Sequence, residues 1–518
     1  MRLWTIAQVP WWPTEGSAYY VGVARNLVEG RGLVTDALWS YATGPLGAPR
    51  PAFELWMPMA SLLAAPGMLL WGPSLSAAQL TFAVLGALLA PLAWFVARDA
   101  AQRISLPSRR ASMVALSAGV FAALLAPFLL ATAGPDSTLP FALFGSLACV
   151  LMPGALRDRR RGALLGLVLG LAYLSRQEGA LLGIGYLILA AADGRGDPVG
   201  SRAAGFARRL MPAIAAGALV TAPWLLRNAL VFGSPFSGQA VENLFFVANS
   251  DVFAYLERPT LERFLAQGPA RLLGNIAEAF RHDLVNVLLL PTLPVGLLGL
   301  ATLPFMARRR ALPLGTPLGA LTLAGGLIFG VIGLLFPVAT LWGTFLHSAG
   351  PALLALVVLA ALGLDAATAR IRAARAWSRD NAWLGPLAAL VIALPLVGLQ
   401  VGLTADAARG NAARFALLSA LVTDHLPPAS SDRPTAPRAD VISDRPIWLA
   451  ETLRRPVAAL PDEPPAAILR LTRSLTAPVV LIVDGPSRLS SDASGCFVPM
   501  PVPLPGIELY ELSARCSP

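Results

Sequence analysis

Glu15, Asp136 and Glu178 are carboxylates at the margins of long apolar stretches, and Arg25, Arg176 and Arg227 are guanidinium groups in the same kind of place. A carboxylate so placed can take a proton from a hydroxyl or help position a metal, and a guanidinium fork matches two phosphate oxygens at once. Each also has a structural reading. Glu15 opens "EGSAYYVGVARNLVEG", an amphipathic helical pattern whose dipole favours an acidic first turn. Asp136 lies in the short turn "GPDSTLP" and is a good helix cap there. Arg176 and Glu178, in "SRQEG", could be a plain ion pair, although charges at that depth are costly unless paired or functional. Arg25-Asn26 and Arg227-Asn228 lie where a side chain can snorkel. His347, in "GTFLHSAG", opens an apolar run.

The elements holding these residues are membrane helices. Of 518 residues, 56% are hydrophobic and 14% charged, with a mean hydropathy of +0.63, too apolar for a soluble protein of this length. All 40 basic residues are Arg, which excludes P-loop ATPases, Schiff-base enzymes and Ser-x-x-Lys acylases. The net charge of +10 falls in short Arg clusters between apolar runs, a pattern of membrane orientation and not of nucleic-acid binding. Three His and three Cys, widely scattered, exclude a zinc or iron–sulfur centre built from them. Cys149 reads as a small buried hydrophobe, whereas Cys496 and Cys516 can pair if they face an oxidising compartment.

Runs long enough to span lie near 75–97, 111–133, 138–156, 209–226, 284–305, 318–336, 346–364 and 383–404. Two shorter apolar pieces in 162–192 flank "SRQEG" and read as two short helices meeting at one membrane face. About ten transmembrane helices are therefore expected. Five Arg clusters, around Arg98 to Arg110, Arg157 to Arg161, Arg195 to Arg209, Arg308 to Arg310 and Arg370 to Arg379, fall on every second loop. The positive-inside rule makes those loops cytoplasmic. The turn at Asp136, the "SRQEG" break, the loop 227–283, the turn before His347 and everything after about 405 then lie outside. Residues 52–71 suit a span or an interfacial segment equally, since Glu54, Pro58 and Pro66 interrupt them. An external first loop at 14–74 requires a helix before it, so a first helix upstream of Met1 is expected.

"TEGSAYYVGVARNLVEGRG" (14–32), "RPAFELWMPMASLLAAPGMLLWG" (50–72) and "WFVARD", followed by "YLSRQEG" and "APWLLRNALVFGSPFS", resemble in order and topology the bacterial membrane glycosyltransferases of the C-type superfamily, such as protein mannosyltransferases and aminoarabinose transferases. The resemblance covers roughly residues 14–364. It implies that 52–71 is interfacial, that Glu15 lies outside, and that a sugar passes from a polyprenyl-phosphate carrier to a lipid, glycan or protein acceptor at the outer face of the bacterial cytoplasmic (inner) membrane. It makes Glu15 and Asp136 the catalytic candidates, as base or metal-positioning carboxylate. Arg25, Asn26, Arg176, Glu178, Arg227 and His347 become substrate-binding candidates. A divalent ion is compatible with the family, but no motif assigns one. The family often has Asp, or an acidic pair, where this chain has Thr14-Glu15.

The expected architecture is mainly α: a polytopic domain over 1–405, with interfacial helices, and a small extracytoplasmic α/β domain over 406–518. In the latter, strand signals at 439–444, 456–460, 477–484 and 506–513 alternate with a helical stretch at 464–475, and 427–438 reads as a linker. Two rival functions stand beside sugar transfer. One is a transporter or flippase, for which paired halves with matching broken helices would speak. The other is a non-catalytic membrane assembly factor.

Overall fold

The computed structural model describes residues 1–194, 202–308, 312–376, 383–426, 439–485 and 488–516. The expected linker 427–438 lies outside the described residues, as do Arg195, Arg309, Arg310 and Arg379. Among the described residues, Leu75–Arg103, Thr138–Ala155, Ala203–Phe232, Pro317–Leu335, Gly350–Arg375 and Leu384–Thr423 are helices long and apolar enough to cross a membrane. Ser108–Leu124 with Ala126–Ala133, and Pro269–Thr292 with Val295–Arg308, are bent pairs that could each count as one span. The short helices Arg159–Ser175 and Gly179–Asp193 stand either side of the "SRQEG" break. The chain is a multi-pass membrane protein. Alternation along it puts the described Arg clusters at the helix ends opposite to the face that carries Asp136, Arg176 and the first loop.

Two expected spans are broken. The run 111–133 bends by 41° at Leu125, where Pro127 lacks an amide proton and its ring would meet the Ala123 carbonyl of a continuous helix. The run 284–305 is not one straight helix. Its first residues continue the Pro269–His282 helix through a π-helical turn, and the chain swings by 117° before Val295–Arg308. Pro291 and Pro294 remove donors there, and the buried Asp283 accepts hydrogen bonds from the Thr340 hydroxyl at 2.9 and 3.0 Å. Residues 52–71 do not span. The helix within them, Met59–Trp71, has 13 residues, about 20 Å of rise against a hydrocarbon core of about 30 Å.

The last long helix runs for 40 residues, Leu384–Thr423, so the expected boundary at 405–406 falls inside it. At about 1.5 Å per residue it is some 60 Å long, and its far end packs in the C-terminal domain. Phe415 stacks at 5.7 Å on Trp11 and lies 5.4 Å from Trp448.

The first loop carries β1 (Val34–Thr35), β2 (Ala37–Leu38) and β3 (Arg50–Pro51). The strand signals of the C-terminal domain become β4 (Val441–Ser443), β5 (Val457–Ala459), β6 (Val479–Ile482) and β8 (Glu508–Leu512), with β7 (Phe497–Met500) added as an edge. The C-terminal sheet has a further member from far away in the chain. β1 pairs with β3, whereas β2 joins that sheet, giving the order β2-β5-β4-β6-β8-β7. β2, β5, β4 and β6 run parallel, and β8 and β7 antiparallel. Cys496 and Cys516 are joined in a disulfide across β7 and β8.

Side chains secure the same junction. Arg25, on the first-loop helix Glu15–Val28, reaches Glu451 on the helix Pro446–Leu453 at 2.5 Å, both side chains being nearly fully buried. Gly22, one turn earlier, faces that carboxylate so closely that a Cβ would overlap it. The buried Glu463 carboxylate accepts hydrogen bonds from the amides of Tyr255, Leu256 and Glu257, at 2.7, 2.8 and 2.9 Å, which ties in the second loop. Replacing Gly22 by Ala should push Glu451 from Arg25 and leave two buried charges unpaired, at a cost on the order of 3–5 kcal/mol. A fall in melting temperature, with faster proteolytic release of the C-terminal domain, checks this; unchanged melting would contradict it.

Candidate functional site

Arg176 and Glu178 stand where the Arg159–Ser175 helix stops and the chain turns into Gly179–Asp193. The break frees backbone groups that only a water-lined or protein-lined position tolerates at this depth. Arg176 grips Glu178 through both edges of its fork, Nε to Oε2 at 3.1 Å and Nη2 to Oε1 at 2.6 Å. It also donates from Nη1 to Ser137 Oγ at 3.0 Å. The Asp136 turn is thereby joined to the break.

Asp136 stands ahead of the Thr138–Ala155 helix, whose cap position is Ser137, and its Oδ1 accepts from the Thr138 amide at 2.7 Å. Its Oδ2 lies 3.5 Å from His347 Nδ1, which is also 2.6 Å from Thr138 Oγ1. His347 sits on the short helix Thr344–Ser348, ahead of the span that begins at Gly350. Burial pushes its pKa down and the Arg176 charge adds to this, while Asp136 opposes it. The imidazole is therefore neutral near pH 7 and can accept a proton.

Two adjoining cavities meet at Arg176. One, of about 260 Å³, has apolar walls from Met57, Leu181, Val331, Ile332 and Phe336 beside Gln177 and Glu178. The other, of about 110 Å³, is lined by Trp39, Asp136, Ser137, Asn243, Asn249 and His347. Tyr20, Leu55, Trp56, Arg176, Asn243 and Thr344 line both. Tyr20 is buried, which raises its phenol pKa, so it stays protonated.

The structure thus brings Asp136, Arg176, Glu178 and His347 together and places the other candidates elsewhere. Arg25 is committed to Glu451. Asn26 is fully buried, donating to the Val34 carbonyl at 2.9 Å and accepting from Arg31 at 2.9 Å. Arg227 lies over the rings of Trp224 and Phe232, 4.8 and 5.1 Å from their centres, and donates to Asn228 Oδ1 at 3.0 Å. Glu15 is the first residue of its helix, and its Oε1 accepts from the amides of Ile447 and Trp448 at 3.2 and 3.4 Å, with Arg445 3.8 Å from Oε2. It acts as a cap for the domain helix Pro446–Leu453, while its neighbour Gly16 lines the cavity that holds Asp136.

Among the described residues no group of three or more His, Cys, Asp or Glu side chains could hold a metal ion. Asp136 and His347 offer two ligand groups at one place. Tyr20, Trp39, Trp56, Asn243 and Asn249 were missed as site residues. Their only sequence signals are the aromatic density of residues 19–56 and the spacing of Gly16 and Tyr20, which are four apart and so share a helix face.

The overall fold is shared with solved structures of low sequence identity. The structure resembles ArnT from Cupriavidus metallidurans in the apo state, with a TM-score of 0.57 and 15% identity over 100% of this chain and 97% of that one. The likeness to the same protein bound to undecaprenyl phosphate has a TM-score of 0.57 at 14% identity, with the same coverage. The Archaeoglobus fulgidus oligosaccharyltransferase, in a complex with Zn and sulfate, matches at a TM-score of 0.53 and 15% identity over 92% of this chain and 64% of that one. No family model and no curated protein matches the sequence.

Burial raises the Glu15 pKa from 4.5 to about 7, and Arg445 and the two amides only partly offset it. The folded protein then holds a proton on Glu15 that the unfolded chain has released, so stability at this junction is highest below pH 4.5 and falls until about pH 7. Glu15→Gln keeps an acceptor for the two amides and should flatten that slope in melting curves recorded from pH 5 to 8. An unaltered slope would assign the pH dependence to other groups.

Proposed function

We propose that the protein is a membrane glycosyltransferase that moves a sugar from a polyprenyl-phosphate carrier to an acceptor hydroxyl. The observation that carries this reading is the position of Arg176 in the wall shared by two cavities, one running along Val331, Ile332 and Phe336 and the other holding Asp136, Asn249 and His347. A lipid-linked sugar has that same order of parts: chain, phosphate, sugar. The chain would lie against Val331, Ile332 and Phe336, the phosphate at Arg176, and the sugar beside Asp136 and His347. The solved neighbours with undecaprenyl phosphate and with a dolichol phosphate support a lipid phosphate as ligand.

In this reading the acceptor oxygen attacks the anomeric carbon and the bond from that carbon to the phosphate oxygen breaks, the electron pair leaving with the lipid phosphate. Arg176 stabilises the charge that develops there, held in orientation by Glu178. Asp136, close to the neutral His347, takes the hydroxyl proton. A second assignment of the base, to Glu15, is favoured by its pKa of about 7 and by Gly16 in the cavity wall. The Arg clusters support a site on the outer face of a bacterial cytoplasmic membrane, where lipid, glycan and protein acceptors are all within reach.

Transfer of labelled sugar from a polyprenyl-phosphate donor, in membranes, tests the proposal. Arg176→Ala should lower the rate roughly 10²–10³-fold, as for the loss of one charge-stabilising donor group. Arg176→Lys should restore little, because the fork is lost. Asp136→Asn should cost roughly 10²–10⁴-fold if it is the base, with Glu15→Gln much milder; the reverse ranking would move the base to Glu15. Movement of the intact lipid-linked sugar across vesicles, without any transfer, would favour a flippase.

A further inference from the structure

The four parallel strands of the C-terminal domain send their carboxyl ends to one edge of the sheet, the edge outside which ligands bind in open α/β folds. Here that edge faces the membrane domain. Trp39, the residue after β2, lines the cavity that holds Asp136. The segments after β4, β5 and β6 bring Asp444 with Arg445, Asp462 and Asp484 to a separate cavity of about 170 Å³, whose opposite wall holds Phe253 and Trp342. The partition between the two cavities is thin. Trp342 lines both, and the turn Asn249–Phe253 gives Asn249 and Val252 to one side and Ser250 and Phe253 to the other.

We propose that this second cavity binds the acceptor and that the acceptor presents a neutral sugar there, an inference that rests on the glycosyl transfer proposed above. Trp342 is half exposed, with its ring 5.8 Å from Phe253, and offers an apolar platform for the face of a sugar ring. Carboxylates beside it can accept from neighbouring hydroxyls. Their charge is already balanced: Asp484 lies 2.9 Å from Arg414 and 3.2 Å from Arg445, and Asp462 lies 2.9 Å from Arg488. Asp444 accepts from the amides of Val483, Asp484 and Gly485. Of these guanidinium groups only Arg445 lines the cavity, so its wall disfavours a phosphate, and because Asp462 and Asp484 are already paired and Asp444 is held by amides, it favours an uncharged, hydroxyl-rich ligand over a basic peptide. Arg445 also stands 3.8 Å from Glu15, so the cavity adjoins the candidate base on the first loop.

The full-length protein in lipid nanodiscs, titrated with mannotriose, arabinotriose and a neutral Ser/Thr-containing peptide, tests this by saturation-transfer NMR. A trisaccharide should bind, and Asp462→Asn and Ser250→Trp should each weaken it about tenfold or more, the equivalent of one lost hydrogen bond to a charged group or of steric filling. Titration of the same samples with undecaprenyl phosphate should be unaffected by either variant, which also shows that they are folded. Equal trisaccharide binding by the variants, binding of the peptide alone, or no binding from the panel would each overturn the inference while leaving sugar transfer intact. Failure of the unaltered protein to bind undecaprenyl phosphate would instead remove the reading on which it rests.

Discussion

The buried pair of Arg25 and Glu451 joins the first loop to the C-terminal domain. Two charges out of water are tolerable only when they face each other, so the first-loop helix and the domain helix Pro446–Leu453 can dock in one way. Gly22 allows the approach, Glu15 caps the domain helix, and β2 leaves its loop to become the edge of the C-terminal sheet. The two ends of the chain are thus one structural unit. Tyr20 and Trp39, which line the cavities, belong to the segments that this docking holds.

The membrane domain meets a different constraint. Polar groups at the level of Arg176 need backbone irregularity and polar neighbours, and the chain supplies both by breaking one hairpin of helices and turning another pair in a tight loop. Ser137 and Thr138 from one turn, Arg176 and Glu178 from the break, and His347 from a short helix then share a single network. The helices behind it, Pro317–Leu335 among them, keep one wall apolar.

Much of the frame was legible because it follows from periodicity and hydropathy. The apolar runs are helices, the Arg clusters share one face, and the four strand signals of the last hundred residues are strands. Where a run contained Pro127 or Pro291 and Pro294, length alone misjudged it, since hydropathy counts apolar residues and not the amide donors a helix needs. The candidate site was half legible. Asp136, Arg176, Glu178 and His347 stood out as polar groups in apolar surroundings, a local signal. Arg25, Asn26 and Arg227 gave that same signal but are satisfied by Glu451, by the Val34 carbonyl and Arg31, and by aromatic faces with Asn228, a set of partners that hydropathy does not reveal.

The sequence by itself determined a multi-pass helical membrane protein with a polar break between two short helices, carboxylates and guanidinium groups near one face, and an α/β tail. These are consequences of composition and of repeats a few residues long. Only the tertiary structure decided that β2 belongs to a sheet over four hundred residues away, that Glu15 meets the amides of Ile447 and Trp448, and that Trp342 separates two cavities. Such contacts depend on which surfaces fit and which buried charges find a partner. That is a property of the folded whole and not of any segment.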